Sequence, residues 1–234
     1  MSIDDPDLVR REYADESRLE ARRAAYATAS GPNAAELVFH AVREVSPRRV
    51  LEVGCGPGEL AARVHDELGA RVVAVDVSPR MVELARARGV DAVVGDVQEL
   101  PFGDGAFDCA VAAWMLYHVA DVDRALRELA RVLRPGGRLI AVTNYSDHLH
   151  ELKQHVGAAP VVWNFSGEAA EPLLRTHFAD VRTVDASGTV TFADDDALVA
   201  YVRASRQLLG ERDVPSLDAP LVVRRRPAVF VATK

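Results

Sequence analysis

Residues 51–60 read LEVGCGPGEL, an apolar run followed by glycines at every second position. A glycine-rich turn between a strand and a helix lets the backbone approach a ligand closely, and the first turn of the helix offers free N–H groups. Loops of this kind bind phosphates, dinucleotides or sulfonium cofactors. The function of the chain therefore depends on which of these ligands the loop fits.

The sequence of the loop disfavours two of these ligands. A phosphate-binding P-loop needs a Lys and a Ser or Thr after its glycines, whereas Gly58 is followed by Glu59 and Leu60. The dinucleotide fingerprint G-x-G-x-x-G needs a glycine where Glu59 stands, and a carboxylate there would face a pyrophosphate. The pattern that remains is E-x-G-x-G-x-G, which begins at Glu52.

Strands and helices are expected to alternate from this loop onward. Short β-branched runs predict strands, and amphipathic stretches closed by glycine or opened by Ser-Pro predict helices. The predicted strands are RRVLEVG, RVVAVDVS, DAVVGD, FDCAVAAWML, RLIAVTN, DVRTVDA, TVTFA and PAVFVATK. The stretch VDRALRELARVLRPGG predicts a helix that stops at Pro135-Gly136-Gly137. The three arginines 224–226 are interpreted as a solvated turn. This alternation predicts a parallel sheet covered by helices on both faces.

Composition limits the classes of partner and compartment. A formal net charge of −7 disfavours nucleic acid, because an acidic surface repels phosphate backbones. The sequence contains only Cys55 and Cys109, which favours a reducing, cytoplasmic compartment. It has no run of 18 apolar residues, and its first residues do not resemble a signal peptide, so no membrane association is expected.

The chain is predicted to be a single domain over residues 1–234. Residues 1–46 form a helical cap or lid, broken at Gly31-Pro32. Residues 47–143 form a cofactor-binding half, and residues 144–234 form an acceptor-binding half with insertions. Oligomeric state stays open between monomer and homodimer.

Four stretches in order resemble a known family. They are LEVGCGPG, VVAVDVSPRMVELAR, GDVQELPFGDGAFDCAV and LRELARVLRPGGRLIAV. Together they are similar to the class I S-adenosylmethionine-dependent methyltransferases, especially the small-molecule group that includes quinone-biosynthesis enzymes. The resemblance implies an α/β fold, a doubly wound, mostly parallel seven-stranded sheet of order 3-2-1-4-5-7-6 with PAVFVATK as its antiparallel strand. It also implies S-adenosyl-L-methionine as cofactor and S-adenosyl-L-homocysteine as product.

The resemblance also assigns cofactor-binding residues. They are Glu52, Gly54, Cys55, Gly56, Gly58, Asp76, Val77, Met81, Asp96, Val97 and Ala113. Asp76 would accept hydrogen bonds from the ribose hydroxyls, and Asp96 would accept one from the adenine amino group. Met81 fits an ordinary core position equally well, and Cys55 is expected to fill the loop rather than act as a nucleophile.

Methyl transfer from a sulfonium mainly requires alignment and exclusion of water, so no general catalytic residue is expected. His118 is the candidate base for a protonated acceptor, and a ring packed under the lid is the alternative. The candidate acceptor-binding residues are Tyr13, Tyr26, Trp114, Tyr117, Asn144, Tyr145, His148 and Trp163. No metal is expected, although His148, Glu151 and His155 share one helical face.

The predicted function is methyl transfer to oxygen, nitrogen or carbon of a small metabolite. The Ala-, Arg- and Asp-rich composition is compatible with a role in bacterial secondary metabolism. Methylation of RNA or protein is one alternative, although the acidic charge argues against it. A homologue that binds the cofactor but has lost methyl transfer is another. A nicotinamide oxidoreductase is the contrasting class, which a ligand-binding comparison would separate.

Overall fold

The strands of the chain form one large sheet and one small sheet. The computed structural model describes residues 17–159, 163–210 and 212–234. The strands are β1 (Arg49–Val53), β2 (Arg71–Asp76), β3 (Asp91–Val94), β4 (Phe107–Ala113), β5 (Leu133–Asn144), β6 (Asp180–Asp185), β7 (Gly188–Phe192), β8 (Leu221–Arg225) and β9 (Pro227–Thr233). The large sheet has the order β3-β2-β1-β4-β5-β9-β6, and β7 pairs with β8.

Helices connect most of these strands. They are α1 (Ser17–Ala25), α2 (Ala34–Val45), α3 (Glu59–Leu68), α4 (Pro79–Ala87), α5 (Val122–Val132), α6 (His150–His155), α7 (Gly167–Arg175), α8 (Asp195–Ala204) and α9 (Arg206–Leu209). Side-chain caps begin several of them. Asn33 accepts a hydrogen bond from the backbone N–H of Ala35 at the start of α2, and Ser78 accepts one from Met81 at the start of α4.

The predicted sheet is confirmed. Strand β9 is the seventh strand of the large sheet and runs antiparallel to both β5 and β6, while the other neighbours pair in parallel. The order therefore equals 3-2-1-4-5-7-6 when the two strands of the small sheet are set aside. Because the parallel strands share a direction, β1, β2, β3, β4 and β5 end at one edge, where their loops can build a site.

Alternating residues of each strand pack into two separate cores. Leu51 and Val53 face the side covered by α5 and α7, whereas Val50 faces the side covered by α2, α3 and α4. Helix α2, assigned by sequence to the cap, thus lies against the sheet through Val38 and Val42. Helix α1 instead packs on α8. Both faces of the sheet are buried, as the apolar runs of its strands predict.

A third cluster of buried residues lies away from the large sheet. It joins α6, α8 and the small sheet, with Tyr26 packed against it, and contains Leu149, Leu152, Val156, Val190, Phe192, Leu198, Tyr201, Val202, Leu209 and Val223. This cluster belongs to the half that the sequence assigned to the acceptor. It gives that half a core of its own.

Two local expectations were wrong. Helix α5 ends at Val132, before Pro135, and the residues that follow pair with β4 across a bulge. Proline disfavours helical backbone at the residue before it, and it lacks an N–H to continue the helix.

The solvated turn expected at residues 224–226 is instead partly strand β8. Arg225 is buried and donates hydrogen bonds to the backbone carbonyl oxygens of Ser30, Pro32 and Ala186, at 2.6–3.2 Å. It fastens the segment between α1 and α2 to the small sheet.

Candidate functional site

The glycine loop after β1 is packed on two sides and open in its middle. The N–H groups of Gly54 and Cys55 both donate to the carbonyl oxygen of Val75, at 2.7 and 3.2 Å. A Cβ at Gly54 would lie 2.6 Å from the Cβ of Met115, whereas a Cβ at Gly56 would meet nothing within 4 Å. Both glycines have positive φ angles. The loop therefore leaves open space beside the backbone of Gly56.

Gly58 closes the loop at the start of α3. Its φ of 79° is left-handed, and a Cβ there would lie 2.8 Å from the Cβ of Ala85 in α4. The lack of a side chain thus lets the loop and α4 approach each other closely.

Asp76, at the end of β2, holds the loop in place. Its Oδ2 accepts from the backbone N–H of Gly56 and its Oδ1 accepts from that of Ser78, both at 2.9 Å. Burial is the largest influence and raises its pKa, while these hydrogen bonds oppose the shift. A carboxylate has about four acceptor positions, and the backbone N–H groups of Gly56, Val77 and Ser78 leave one of them for a ligand.

Glu52 lies buried in β1 near this loop. Burial is the main cause that raises its pKa to about 8, and the nearby carboxylates of Asp76 and Glu59 add to the effect. Its Oε2 accepts no hydrogen bond from any described residue. An orphaned buried carboxyl oxygen is costly unless a donor or a cation binds it.

The residues expected around the adenine lie in different environments. Asp96 is exposed, and its Oδ1 accepts from the backbone N–H of Gln98 at 2.8 Å. Val97 is buried and Val77 is half-buried, whereas the side chain of Met81 is fully buried. Val94, which the sequence did not single out, is 52% exposed at the end of β3.

Cys55 is a buried free thiol. Burial raises its pKa well above the ordinary range, so the thiol stays protonated at neutral pH. This environment suits a packing residue of the loop and is unsuitable for a nucleophile.

The chain leaving β4 covers the loop. Ala113 is half-buried, and Trp114 follows with a left-handed φ of 55°, its N–H donating to the carbonyl oxygen of Val142 at 3.0 Å. This unusual backbone for a tryptophan turns Met115 against Gly54. The ring centres of Tyr117 and His118 lie 4.5 Å apart, and His118 is half-buried.

The residues at the end of β5 and just after it have different surroundings. Asn144 is buried, and its Oδ1 accepts no hydrogen bond from the described residues. The ring of Tyr145 instead lies under the guanidinium of Arg226, 4.6 Å from its centre, and lines an open groove with residues of α7. The ring of Tyr145 thus has Arg226 as its partner, while its backbone carbonyl oxygen accepts from the N–H of His148 at 3.0 Å.

Tyr26 and His148 do come together, with Tyr201. The hydroxyl of Tyr26 lies 3.4 Å from Nε2 of His148 and 3.3 Å from the hydroxyl of Tyr201. Nδ1 of His148 accepts from the backbone N–H of Arg226 at 2.8 Å, which places the proton of the neutral ring on Nε2. Burial above all lowers the pKa of His148 to about 3, so the ring is neutral.

Trp163 lies between this group and the end of β4, because the centre of its ring is 4.4 Å from the centre of the Tyr117 ring. Tyr13 lies outside the described residues. Tyr201 was missed by the sequence reading because its position in an amphipathic helix is that of an ordinary core residue.

The three side chains considered for a metal have separate partners. His148 is held as described above, Glu151 forms a 2.6 Å ion pair with Arg224, and Nε2 of His155 lies 3.0 Å from the carbonyl oxygen of Pro215. Among residues 17–159, 163–210 and 212–234, no group of three or more His, Cys, Asp or Glu side chains is arranged to hold a metal ion. In the same ranges, no helix has the length and apolar character needed to cross a membrane.

Comparison with known proteins yields a family match. A family model described as a methyltransferase domain matches residues 51–141, which run from β1 into β5. The match contains the glycine loop, Asp76 and Asp96.

Two relatives extend the match. The demethylmenaquinone methyltransferase of Thermus thermophilus is 42% identical over 106 residues, which are 42% of this chain and 48% of that protein. The malonyl-[acyl-carrier protein] O-methyltransferase of Pseudescherichia vulneris is 34% identical over 168 residues, 71% of this chain and 66% of that protein. The chain thus spans from about half to two thirds of the length of these relatives.

Among solved structures, the [4+2]-cyclase SpnF matches with a TM-score of 0.58 at 24% identity, covering 86% of this chain and 81% of that chain. This likeness concerns the fold. Because that protein is a cyclase, the fold alone does not decide the reaction.

Proposed function

Because the chain belongs to the class I S-adenosylmethionine-dependent methyltransferases, we propose that it transfers a methyl group to oxygen, nitrogen or carbon of a small molecule. The observation that carries the proposal is the open cradle at Gly56 beside the buried carboxylate of Asp76. This arrangement combines a backbone that a ligand can approach with an acceptor for hydroxyl groups.

The residues present fit the cofactor. The open space at Gly56 admits a ligand against the loop, and Asp76 keeps an acceptor position for a ribose hydroxyl. The orphaned Oε2 of Glu52 suits a nearby cationic group such as an ammonium. Val77 and Val97, with Asp96, would hold the adenine, whereas the fully buried Met81 would support them from the core.

When bound, S-adenosylmethionine supplies a methyl group already activated by its sulfonium, whose departure leaves a neutral thioether. The work left to this chain is to orient the acceptor and exclude water. Met115, which packs against Gly54 of the loop, and its neighbours Trp114 and Tyr117 would do so. His118 would act as a base only for an acceptor that carries a proton at working pH.

A small-molecule acceptor is supported by two observations. The two methyltransferase relatives are named for a quinone precursor and for an acyl-carrier substrate. The net charge of −7 disfavours an RNA acceptor. Secondary metabolism and a cytoplasmic location remain parts of this proposal, the latter supported by two buried free thiols.

A homologue that binds the cofactor without transferring methyl is the second candidate, because a solved structure with this fold is named a cyclase and the fold is compatible with other reactions. The two candidates share the cofactor site and differ in turnover alone. Binding and transfer must therefore be measured separately.

The test of the cofactor site is calorimetric titration with S-adenosylhomocysteine and, in parallel, with NADH. We expect the first ligand to bind and the second not to bind. Asp76→Asn removes a charged acceptor and should weaken S-adenosylhomocysteine about 10–100-fold, since hydrogen bonds to charged groups contribute about 1.5–3 kcal/mol.

Asp91→Asn is the matched control, because Asp91 lies at the opposite end of β3 in an exposed ion pair with Arg71. It should bind like the wild type. Equal affinities of Asp76→Asn and wild type would refute the assignment of the site.

A further inference from the structure

Residues 18–30, which we call the strap, comprise nearly all of α1 and the turn that follows it. None of residues 18–25 is buried, although α1 packs on α8. A helix with so little buried surface has low local stability, so it can detach while the rest of the fold stays intact. The bonds at its two sides therefore decide how it moves.

On the acceptor side the strap is held by buried side chains and by backbone bonds. The hydroxyl of Tyr26 is bonded within the third cluster, as described above. The N–H of Ser30 donates to the carbonyl oxygen of Thr189 in β7 at 2.9 Å, and the carbonyl oxygen of Ser30 accepts from the buried Arg225. The strap thus belongs structurally to the acceptor half.

On the cofactor side the strap is held by an exposed ion pair. Nη1 of Arg23 lies 2.6 Å from Oε2 of Glu59, which directly follows the glycine loop, and the two side chains are 47% and 50% exposed. Arg88 holds Glu59 on the loop, because its Nη2 lies 3.7 Å from Oε1 of Glu59 and its Nε donates to the carbonyl oxygen of Pro57 at 2.8 Å. Glu59 therefore stays with the loop when Arg23 leaves.

The strap reaches both sides of the open space at Gly56. Arg23 contacts Glu59, three residues after Gly56. Tyr26 lies three residues further along the strap, in the surroundings of Tyr117: burial is the main cause that raises the pKa of Tyr26, and Tyr117 adds to it. Tyr117 belongs to the segment after β4 that packs against the loop. One turn of the strap thus joins the two sides between which a ligand would lie.

We propose that Arg23 and Glu59 form a latch that closes the strap over the bound cofactor, so that S-adenosylmethionine and S-adenosylhomocysteine exchange when this ion pair opens. The inference rests on the proposed function and adds control of exchange at the same site. Because the loop-side bond is exposed and the acceptor-side bonds are buried, the strap opens at Glu59 and stays on the acceptor half. Arg23 and Glu59 are positioning residues, which act through the strap.

The test measures the dissociation rate of S-adenosylhomocysteine from the immobilised protein by surface plasmon resonance. Arg23→Gln should speed dissociation about 2–5-fold, the effect of losing an exposed ion pair. In about 1 M salt the wild type should dissociate as fast as the variant, because salt screens exposed charges. Glu59→Gln should match Arg23→Gln, and the double variant should be no faster than either, since all three lose the same pair.

Arg182→Gln is the matched control, because Arg182 forms a comparably exposed ion pair with Glu44, at 3.4 Å, that involves no residue of the strap or the loop. It should dissociate like the wild type. Equal effects of Arg23→Gln and Arg182→Gln overturn the latch. So does a difference between the wild type and Arg23→Gln that salt leaves unchanged, or a double variant in which the two accelerations multiply.

Hydrogen exchange of the protein without cofactor tests the latch separately from the cofactor site. In Arg23→Gln the amides of residues 18–25 should exchange about 2–5-fold faster, whereas the amide of Ser30, bonded to β7, should keep its rate. Unchanged exchange of residues 18–25 overturns the latch even when S-adenosylhomocysteine binds. Faster exchange in a protein that does not bind S-adenosylhomocysteine refutes the proposed function instead.

Discussion

The glycine loop and the third cluster contribute to the candidate site in opposite ways. The loop is built from backbone groups close in sequence, with Asp76 and Val75 as partners on the neighbouring strand. The third cluster is built from side chains far apart in the chain, such as Tyr26, His148 and Tyr201. Few residue types satisfy the loop arrangement, so it leaves a recognisable motif in the sequence. The second can be met by many sequences, and under the proposed function it would change with the acceptor.

The largest effect is expected from Gly54→Ala. The added Cβ would lie 2.6 Å from the Cβ of Met115, and the residue has a left-handed φ of 64°. The loop must then move, and we expect S-adenosylhomocysteine binding to be lost in a calorimetric titration.

Gly69→Ala separates steric overlap from backbone strain. Gly69 has a φ of 65°, but a Cβ there would meet nothing within 4 Å. It should cost only about 1–2 kcal/mol of unfolding free energy for the left-handed backbone and leave binding intact. Equal binding by the two variants would show that close approach at Gly54 is not required.

Arg225→Leu tests whether the third cluster depends on long-range side-chain bonds. The substitution leaves the carbonyl oxygens of Ser30, Pro32 and Ala186 without their donor. We expect a loss of about 2–4 kcal/mol in the free energy of unfolding by urea, as for other buried polar networks.

The neighbouring Arg224→Leu removes an exposed ion pair with Glu151 and should cost about 1 kcal/mol or less. Similar losses for the two variants would mean that burial of Arg225 has no special weight.

Glu52, in the strand before the loop, should make the free energy of unfolding depend on pH. Its pKa is about 8 in the folded chain against an ordinary 4.5, so the folded state holds a proton that the unfolded state releases between these values. The resulting stabilisation is complete below about pH 4.5 and is lost as the pH rises through about 8. Between pH 6 and pH 9 the loss should be about 2–3 kcal/mol.

Denaturation of wild type and Glu52→Gln over this range measures the effect. The variant should show a flatter profile and gain stability relative to the wild type as the pH rises. Parallel profiles would place the ionisation elsewhere.

The smallest effect is expected at His148. Burial, with Lys153 and Arg225, lowers its pKa to about 3, so the ring should not titrate between pH 5 and pH 8. The chemical shifts of its ring protons should stay constant over that interval. A titration midpoint near 6.5 would show that the ring is solvated and that the third cluster is more open than described.

The sequence predicted the sheet and the loop because both follow local rules. Strand β1 leads directly into the loop that ends at Gly58, and β2 ends in Asp76. The two strands therefore leave little freedom in where the loop and the carboxylate lie. The seventh strand was found because PAVFVATK opens with an uninterrupted apolar run, PAVFVA.

The residues of the third cluster followed no such local rule. Tyr201 and Lys153 occupy positions typical of a core residue and a solvated cation, and only tertiary packing brings them together with Trp163. The same reason explains why Arg225 was taken for part of a solvated turn: a buried cation bonded only to carbonyl groups leaves no pattern in its neighbours. Tyr145 shows the converse, since its place after β5 suggested the site, yet its ring packs on Arg226.

The measurement that tests the central claim most directly is transfer of labelled methyl from S-adenosylmethionine into extract of the organism that encodes the chain. Small-molecule, protein and RNA fractions are counted separately, with Asp76→Asn as the negative control. The account predicts label in the small-molecule fraction that depends on Asp76. Label in RNA or protein, or no label from a chain that binds S-adenosylhomocysteine, would contradict it.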